Sequence, residues 1–394
     1  PRVSARGNTA IHCDSPGRSP SRIDTERAWG ALSSVSGAAR ESVGGNMSRN
    51  AIGLDISSRR LLAVELSDTG GSKPPTLVKA AAMPLPEGAA RDSEVLDIAV
   101  VAAALKELWS TAKFSSRRVV LGVGNQRVLV RDHAVPELPA NQLRQALRYQ
   151  VADLLPVPVG ETILDFYPIE PVPESAPPQM RGLLVAALRD SVETDVATLA
   201  DAGLKVVGVD LSPFAAVRAL RLGDALEGTQ TIVSIGPRTT HIVVVRDGVP
   251  QFVRIVPVGG ENVTDAVLET ASLSREDAEK LKHKIGLGYG EDERFAATTR
   301  QMLEALNGIF AAIRSTNSYY LGNYSGAEIS RLVLLGAETR LPGFTEALSE
   351  HAGLPAALGD PLAGLRVSSS MKPELLGQLE ADLAIPVGLA MGGR

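Results

Sequence analysis

Ile52-Gly53-Leu54-Asp55-Ile56-Ser57-Ser58-Arg59-Arg60-Leu61-Leu62-Ala63-Val64-Glu65-Leu66 is the stretch on which the fold turns. It reads as a short apolar strand, a small polar turn and a second apolar strand. A similar segment recurs far downstream: Ile232-Val233-Ser234-Ile235-Gly236-Pro237-Arg238-Thr239-Thr240-His241-Ile242-Val243-Val244-Val245-Arg246. After a loop, each is followed by a third apolar run, Thr76–Met83 and Gln251–Val258. A three-stranded meander that occurs twice, far apart, implies two related half-molecules.

The rest of the composition bounds the function. The 394 residues are 44% hydrophobic and 22% charged, which suits a globular protein of two or more cored domains. A net charge of −5 and 4% aromatics argue against a nucleic-acid partner. Cys13 is the single cysteine, which excludes internal disulfides and multi-Cys metal sites. The five histidines lack metal-ligand spacing. No apolar run reaches the ~18–20 residues of a transmembrane helix. Residues 1–46 are rich in Ser, Gly, Arg and Ala and lack periodicity; they read as a disordered or non-native extension, with Met47 as the expected start.

Between the two meanders the pattern alternates. A helix is expected from Ser93, with Leu96, Val100, Leu105, Leu108 and Trp109 apolar, then strands at Arg117–Val123 and Arg127–Val135. Leu138–Leu155 reads as a helix stopped by Pro156 and Pro158, with exposed Arg144, Gln145 and Arg148 as a candidate groove border. Strands at Thr162–Glu170, Arg181–Leu188 and Lys205–Val209 surround a helix ending at Gly203, giving an α/β insertion over 136–210. Downstream, Asp247-Gly248 turns the second hairpin. Ser274 caps a helix that ends near Gly286, and Glu293–Leu321 is a long amphipathic helix. Pro342 is read at the first position of a helix ending at Gly353. A last helix spans about Leu379–Met391, bent at Pro386.

Two meander-plus-helix halves facing a cleft suit nucleotide binding. Backbone N–H groups of tight turns converge on phosphate oxygens, and magnesium needs a nearby carboxylate. The first turn offers Asp55; in the same register the second offers Ser234, which is uncharged. Other readings of these residues are structural: Asp55 as a turn cap, Thr239 and Thr240 as strand starts, Gly259-Gly260 as a bend, and Glu279 with Lys282 as a solvated helix face.

The order of elements resembles the actin-like ATPase superfamily, and within it the PilM family of type IV pilus assembly proteins. The resemblance is carried by Ile52–Ile56 with Ala63–Leu66, Leu138–Pro158, Gly182–Ala187 with Asp195–Phe214, Arg246-Asp247-Gly248 followed by Val258-Gly259-Gly260, Ala278–Lys282 and Val333–Phe344. It covers Met47–Arg394 as an ordered set. It implies an α/β actin-like fold: two lobes, each a mixed sheet with flanking helices, and a small α/β subdomain inserted in the first. The implied division is 47–135 for the first-lobe core, completed by 211–228 and 367–394; 136–210 for the insertion; 229–258 and 329–366 for the second-lobe core; and 259–328 for its helical subdomain. ATP and magnesium are the implied ligands. Asp55 (on the magnesium side), Ser57, Ser58, Arg59, Ser234, Gly236, Arg238, Thr239, Thr240, Gly259, Gly260, Glu279, Lys282, Gly336, Ala337 and Glu338 would line the site.

Several positions depart from that family's pattern. Ser57 stands for its usual Gly, Leu62 for a frequent Lys, and Ser234-Ile235-Gly236 for Asp-Ile-Gly. Gly336-Ala337-Glu338-Thr339 is poorer in glycine than the usual adenine-side turn. The expectation is a degenerate site without hydrolysis. By resemblance the chain would be a cytoplasmic scaffold, peripheral to the inner membrane. It would bind the cytoplasmic tail of a PilN-like inner-membrane protein, in a groove between first subdomain and insertion, and link it to the pilus motor ATPase. The alternatives are an active ATPase, an FtsA-like cell-division protein and a sugar kinase. The absence of a basic amphipathic C-terminal segment lowers the division reading, and no sugar-binding Asp/Asn/Lys set supports the kinase.

Overall fold

The opening hairpin forms because alternate residues of one strand find two different apolar surfaces. Ile52, Leu54 and Ile56 point to a helix on one face, while Gly53 and Asp55 point to the other. A computed structural model of the 394-residue chain describes residues 50–69, 73–91, 93–223, 226–270, 272–288, 293–324 and 326–392. The extension read at residues 1–46 lies outside the described residues.

In chain order, the first elements are β1 (Ala51–Ile56), β2 (Arg60–Ser67), β3 (Thr76–Pro84), the short hairpin β4 (Ala90–Arg91) and β5 (Glu94–Val95), α1 (Ile98–Ala112) and β6 (Arg118–Val123). Next come β7 (Leu129–Pro136), α2 (Ala140–Gln150), β8 (Thr162–Pro171), β9 (Gln179–Leu188), α3 (Arg189–Asp201), β10 (Lys205–Leu211) and α4 (Ser212–Leu220). The second half holds β11 (Thr229–Ile235), β12 (Thr240–Arg246), β13 (Val249–Val256), α5 (Gly260–Thr270), α6 (Arg275–Ile285) and α7 (Ala296–Asn323). It closes with β14 (Ile329–Leu335), α8 (Phe344–Ala352), β15 (Ala356–Leu358), β16 (Arg366–Val367), α9 (Pro373–Leu379) and α10 (Ala384–Gly392).

The two sheets repeat one plan. The larger runs β10-β6-β1-β2-β3-β16 and the other β15-β14-β11-β12-β13. In both, an antiparallel meander carries a parallel strand on its first member and a further parallel strand outside that. Asp55 pairs with Leu62 one step before the hairpin's last pair, and Ser234 pairs with His241 at the same step. The duplication read in the sequence is therefore a duplication in space, and Asp55 and Ser234 are equivalent positions. A third sheet, β7-β9-β8, is separate.

Strand partners sort two segments differently from their sequence neighbours. The Arg127–Val135 run, read with the first lobe, becomes β7 and pairs with β9 in the small sheet. Lys205–Val209, read with the insertion, becomes β10 and is the edge of the six-stranded sheet, parallel to β6. Period and length identify a strand but do not say which edge it joins.

Packing follows from glycine and alanine where elements meet closely. A Cβ on Gly53 would stand 2.1 Å from the Pro386 carbonyl oxygen, so α10 lies directly on β1. A Cβ on Gly388 would stand 1.8 Å from the Ala215 carbonyl oxygen, which brings α10 onto α4. On the far face of β1, α1 buries Val101, Leu105, Leu108 and Trp109. One core runs unbroken through Leu183 and Val185 of the small sheet, Phe214 and Val217 of α4, and Val243 and Val333 of the second sheet. A second-lobe core packs α5 to α8 on the opposite face of that sheet.

Local signals were read well, with small shifts. Asp247 and Gly248 both have positive φ, 51° and 71°, as a two-residue hairpin turn requires. Ser274 accepts from the Asp277 N–H at the start of α6, and Gly286 ends it. The helix placed at Pro342 begins at Phe344 behind Gly343 in the left-handed region. The last helix breaks at Leu383 rather than at Pro386, with an 83° bend between its two parts. Pro386 sits in the first turn of α10, where its missing N–H costs no hydrogen bond. Among the described residues no single helix is long and apolar enough to cross a membrane.

Candidate functional site

The two hairpin turns and the N-terminus of α5 meet over the inner ends of β1 and β11. Ser57 closes the first turn itself: its hydroxyl donates to the Arg60 carbonyl at 3.0 Å and accepts from the Arg60 N–H at 3.2 Å. That leaves Ser58 and Arg59 directed outward. In the second turn the Gly236 N–H donates to the Thr239 carbonyl at 2.9 Å, and Thr240 Oγ1 donates to the Val258 carbonyl at 2.7 Å. Gly259 and Gly260 then pass so close to this turn that a Cβ on Gly259 would lie 2.3 Å from the Gly236 oxygen. They serve a close backbone approach.

Asp55 lies at the floor between the turns, beside Arg60 and Asp382, which form an ion pair. Burial pushes its carboxyl up to about 6, opposed by Arg60 and helped by Asp382. Around it is a small pocket of about 60 Å³, lined also by Ser234, Arg238, Thr239 and His241. Thr239 Oγ1 and His241 Nδ1 are buried there without a protein partner. His241 Nε2 lies 2.7 Å from the Gly124 carbonyl oxygen, and burial drives its pKa down to about 4, so the ring is neutral. A pocket of this size and polarity suits a few waters.

Beyond the turns the cleft widens to about 700 Å³, within the range of small-molecule sites. Arg59, Arg60, Arg275, Glu279, Lys280, Ala337 and Glu338 line it. Gly336 and Ala337 are anchored from the C-terminal segment: the Gly336 N–H donates to the Ala381 carbonyl, and the Ala337 N–H to Asp382 Oδ1, both at 3.0 Å. Lys282, expected on a solvated face, is 0% exposed. Its ammonium contacts Glu279 at 2.7 Å, both oxygens of Glu338 at 3.0 Å and Thr264 Oγ1 at 3.0 Å. A buried cation survives only with such partners, and tertiary contact overrode the helix-face pattern. Burial raises the Glu279 carboxyl, but His283, Lys282 and Thr264 outweigh it and bring it to about 2.

The residue that sequence reasoning missed is Glu261, the second residue of α5. Its Oε1 accepts from Ser58 Oγ at 2.8 Å and from Arg59 Nε at 2.7 Å; its Oε2 forms an ion pair with Arg238, 2.7 Å from Nε. Burial raises its carboxyl, but these partners hold it below its ordinary value. An acid just after Gly259-Gly260 was the available signal, and it reads equally as a helix first-turn acid. Asp382 carried no local signal at all.

Of the sixteen expected residues, Thr240, Gly259, Gly260 and Lys282 lie behind the lining and the other twelve line the small pocket or the wide cleft; only some fit a nucleotide. The wide end has room for a nucleoside. The phosphate end does not fit as it stands: a carboxylate already takes up Ser58, Arg59 and Arg238. Ser234 gives no second carboxylate opposite Asp55 to hold magnesium or orient a water.

Residues 53–394 match the sequence profile of the family described as type IV pilus assembly protein PilM. Among solved structures the chain is similar to a PilM-PilN type IV pilus biogenesis complex. The identity is 27%, over 88% of this chain and 99% of that one, with a TM-score of 0.76. It is similar in fold to the ethanolamine utilization protein EutJ from Carboxydothermus hydrogenoformans, at 17% identity over 93% of this chain and 96% of that one, TM-score 0.50. The cell division protein FtsA of Bacillus subtilis (strain 168) is 23% identical over 299 residues, 66% of this chain and 68% of that protein. The actin-like α/β fold expected from the sequence is the fold observed.

Proposed function

The chain belongs to the family of type IV pilus assembly proteins PilM, and from that premise we propose that it works as a scaffold of the pilus assembly machinery rather than as an ATPase. In this reading it binds the cytoplasmic tail of a PilN-like inner-membrane protein. It sits at the cytoplasmic face of the membrane through that partner and passes contact on to the pilus motor ATPase. The two sheets carry the lobes, and the small β7-β9-β8 sheet with α2 is the inserted unit that helps form the tail's groove. The observation that carries the reading is the likeness, over 88% of the chain, to a structure that is itself a PilM-PilN complex. The uncharged Ser234 supports the absence of turnover.

An extended tail would dock by backbone pairing or in an apolar groove. Tyr149 is 87% exposed on α2, and Leu138 stands exposed just before it, so the insertion offers apolar contact beside Arg144 and Arg148. The test is a titration of the folded chain with a labelled peptide of the partner's tail. Saturable binding with a Kd near or below ~1 μM is expected, weakened at least about tenfold by Tyr149→Ala with Arg144→Glu. Failure of the tail to bind, with capture of division proteins instead, would favour the FtsA-like alternative. A second reading, nucleotide binding without turnover, is favoured by the space of about 700 Å³ beside Glu279 and Glu338.

A further inference from the structure

The donors that converge between the two hairpin turns are not idle. Ser58 and Arg59 belong to the β1–β2 turn of the first sheet, while Arg238 and Glu261 belong to the second half, on the β11–β12 turn and α5. Both side-chain hydrogen bonds to Glu261, from Ser58 at 2.8 Å and Arg59 at 2.7 Å, therefore cross the cleft and are charge-assisted, while Arg238 adds an ion pair at 2.7 Å from its own half. Glu261 is buried, with 9% of its side chain exposed, whereas Arg59 and Arg238 keep 36% and 38%.

From this geometry we infer that Glu261 is an internal anion that takes the place of a nucleotide phosphate and holds the two lobes together without nucleotide. A carboxylate presents two oxygens to the same kind of donors that a phosphate would use. Its backbone is pinned beneath it. The Glu261 N–H donates to the Pro237 carbonyl at 2.7 Å, and the Gly260 N–H to the Gly236 carbonyl at 3.0 Å. A Cβ on Gly260 would stand 1.9 Å from Glu338, so that side chain lies directly against the start of α5. An incoming phosphate must turn the Glu261 side chain aside against like charge and take over Ser58, Arg59 and Arg238. The lobes are thus closed by default, and partner binding on the insertion needs no nucleotide to close them. The phosphate half of this inference rests on the cleft being a nucleotide cleft; the interlobe tie does not.

The experiment has two readouts that fail separately. Spin labels on Ser110→Cys in α1 and Glu304→Cys in α7, in a Cys13→Ser background, report the distance between lobes without ligand. ATP is titrated with and without magnesium onto the same chains. Circular dichroism and urea midpoints check that Glu261→Gln and Arg59→Gln, which removes a donor from across the cleft, are folded. A narrow distance in the starting chain that lengthens or broadens in both variants, with ATP affinity at least about tenfold tighter in Glu261→Gln, supports the inference. A distance distribution unchanged in both variants overturns it. Measurable ATP binding that Glu261→Gln leaves unaltered overturns it too and leaves the nucleotide reading standing. Widening with no ATP binding in any chain sustains the interlobe tie and sinks the nucleotide reading.

Discussion

Replacing Asp55 by Asn should stabilise this protein, and by an amount that depends on pH. In the folded chain burial raises the carboxyl from its ordinary 3.8 to about 6. Each tenfold change in proton affinity is worth about 1.4 kcal/mol. At neutral pH the ionised Asp55 therefore makes the folded state about 3 kcal/mol less stable than a neutral group would. The part-exposed carboxyl is screened by cleft water, which brings the expected gain from Asp55→Asn to about 1–3 kcal/mol at pH 7.5. The sign follows from the direction of the shift. A carboxyl raised in the folded state binds its proton more tightly there, so the wild type is at no disadvantage below about pH 4. Its deficit opens between 3.8 and about 6 and is constant above. Urea unfolding of both proteins from pH 4 to 8 measures the difference. A variant that is less stable at pH 7.5, or a difference flat across the range, would refute the reasoning. The first result would mean that Asp55 is held by partners that favour its charge, and the second that its proton affinity does not change on folding. A gain on removal would mark a site kept at the expense of stability.

Three further outcomes are expected. Lys282→Met should lose about 3–5 kcal/mol by leaving Glu338 without its cation and close to Glu279, which keeps only Thr264 and His283. Adding Glu338→Gln should recover at least ~1 kcal/mol, and strict additivity in that double-mutant cycle would count against the pairing. His241, neutral and depressed to about 4, supplies stability that is complete above pH 6.5 and drains away as pH falls toward 4. The urea midpoint of His241→Gln should fall less steeply over that window, by up to about 3 kcal/mol; equal slopes would exclude the role. Gly388→Ala should cost about 3 kcal/mol or more, because its Cβ meets the Ala215 backbone oxygen at 1.8 Å. Gly377→Ala, with open space around it on α9, should be neutral or stabilising by up to ~1 kcal/mol; melting curves that shift alike would undo the packing argument.

What the sequence determined by itself was whatever a few consecutive residues decide. The strand period of Ile52–Leu66 and Ile232–Arg246, the Asp247-Gly248 turn and the Ser274 cap all rest on bonds within one or two turns of chain. They gave the duplicated meander, and with it the alignment of Asp55 with Ser234 that the strand registers bear out. The break at Leu383 is not legible locally: Pro386 is the obvious breaker in the sequence, and its place in a helix first turn depends on where the helix starts.

Only the tertiary structure decided where β7 and β10 pair, since a strand's edge partner is set by the sheets available. Only it could bring Glu261 to Ser58 across 203 positions, Arg60 to Asp382 across 322, and Lys282 to Glu338 across 56. No periodicity links such residues. Their meeting depends on two lobes closing on each other, and the electrostatic cost of burying each charge is met by a partner from a distant part of the chain.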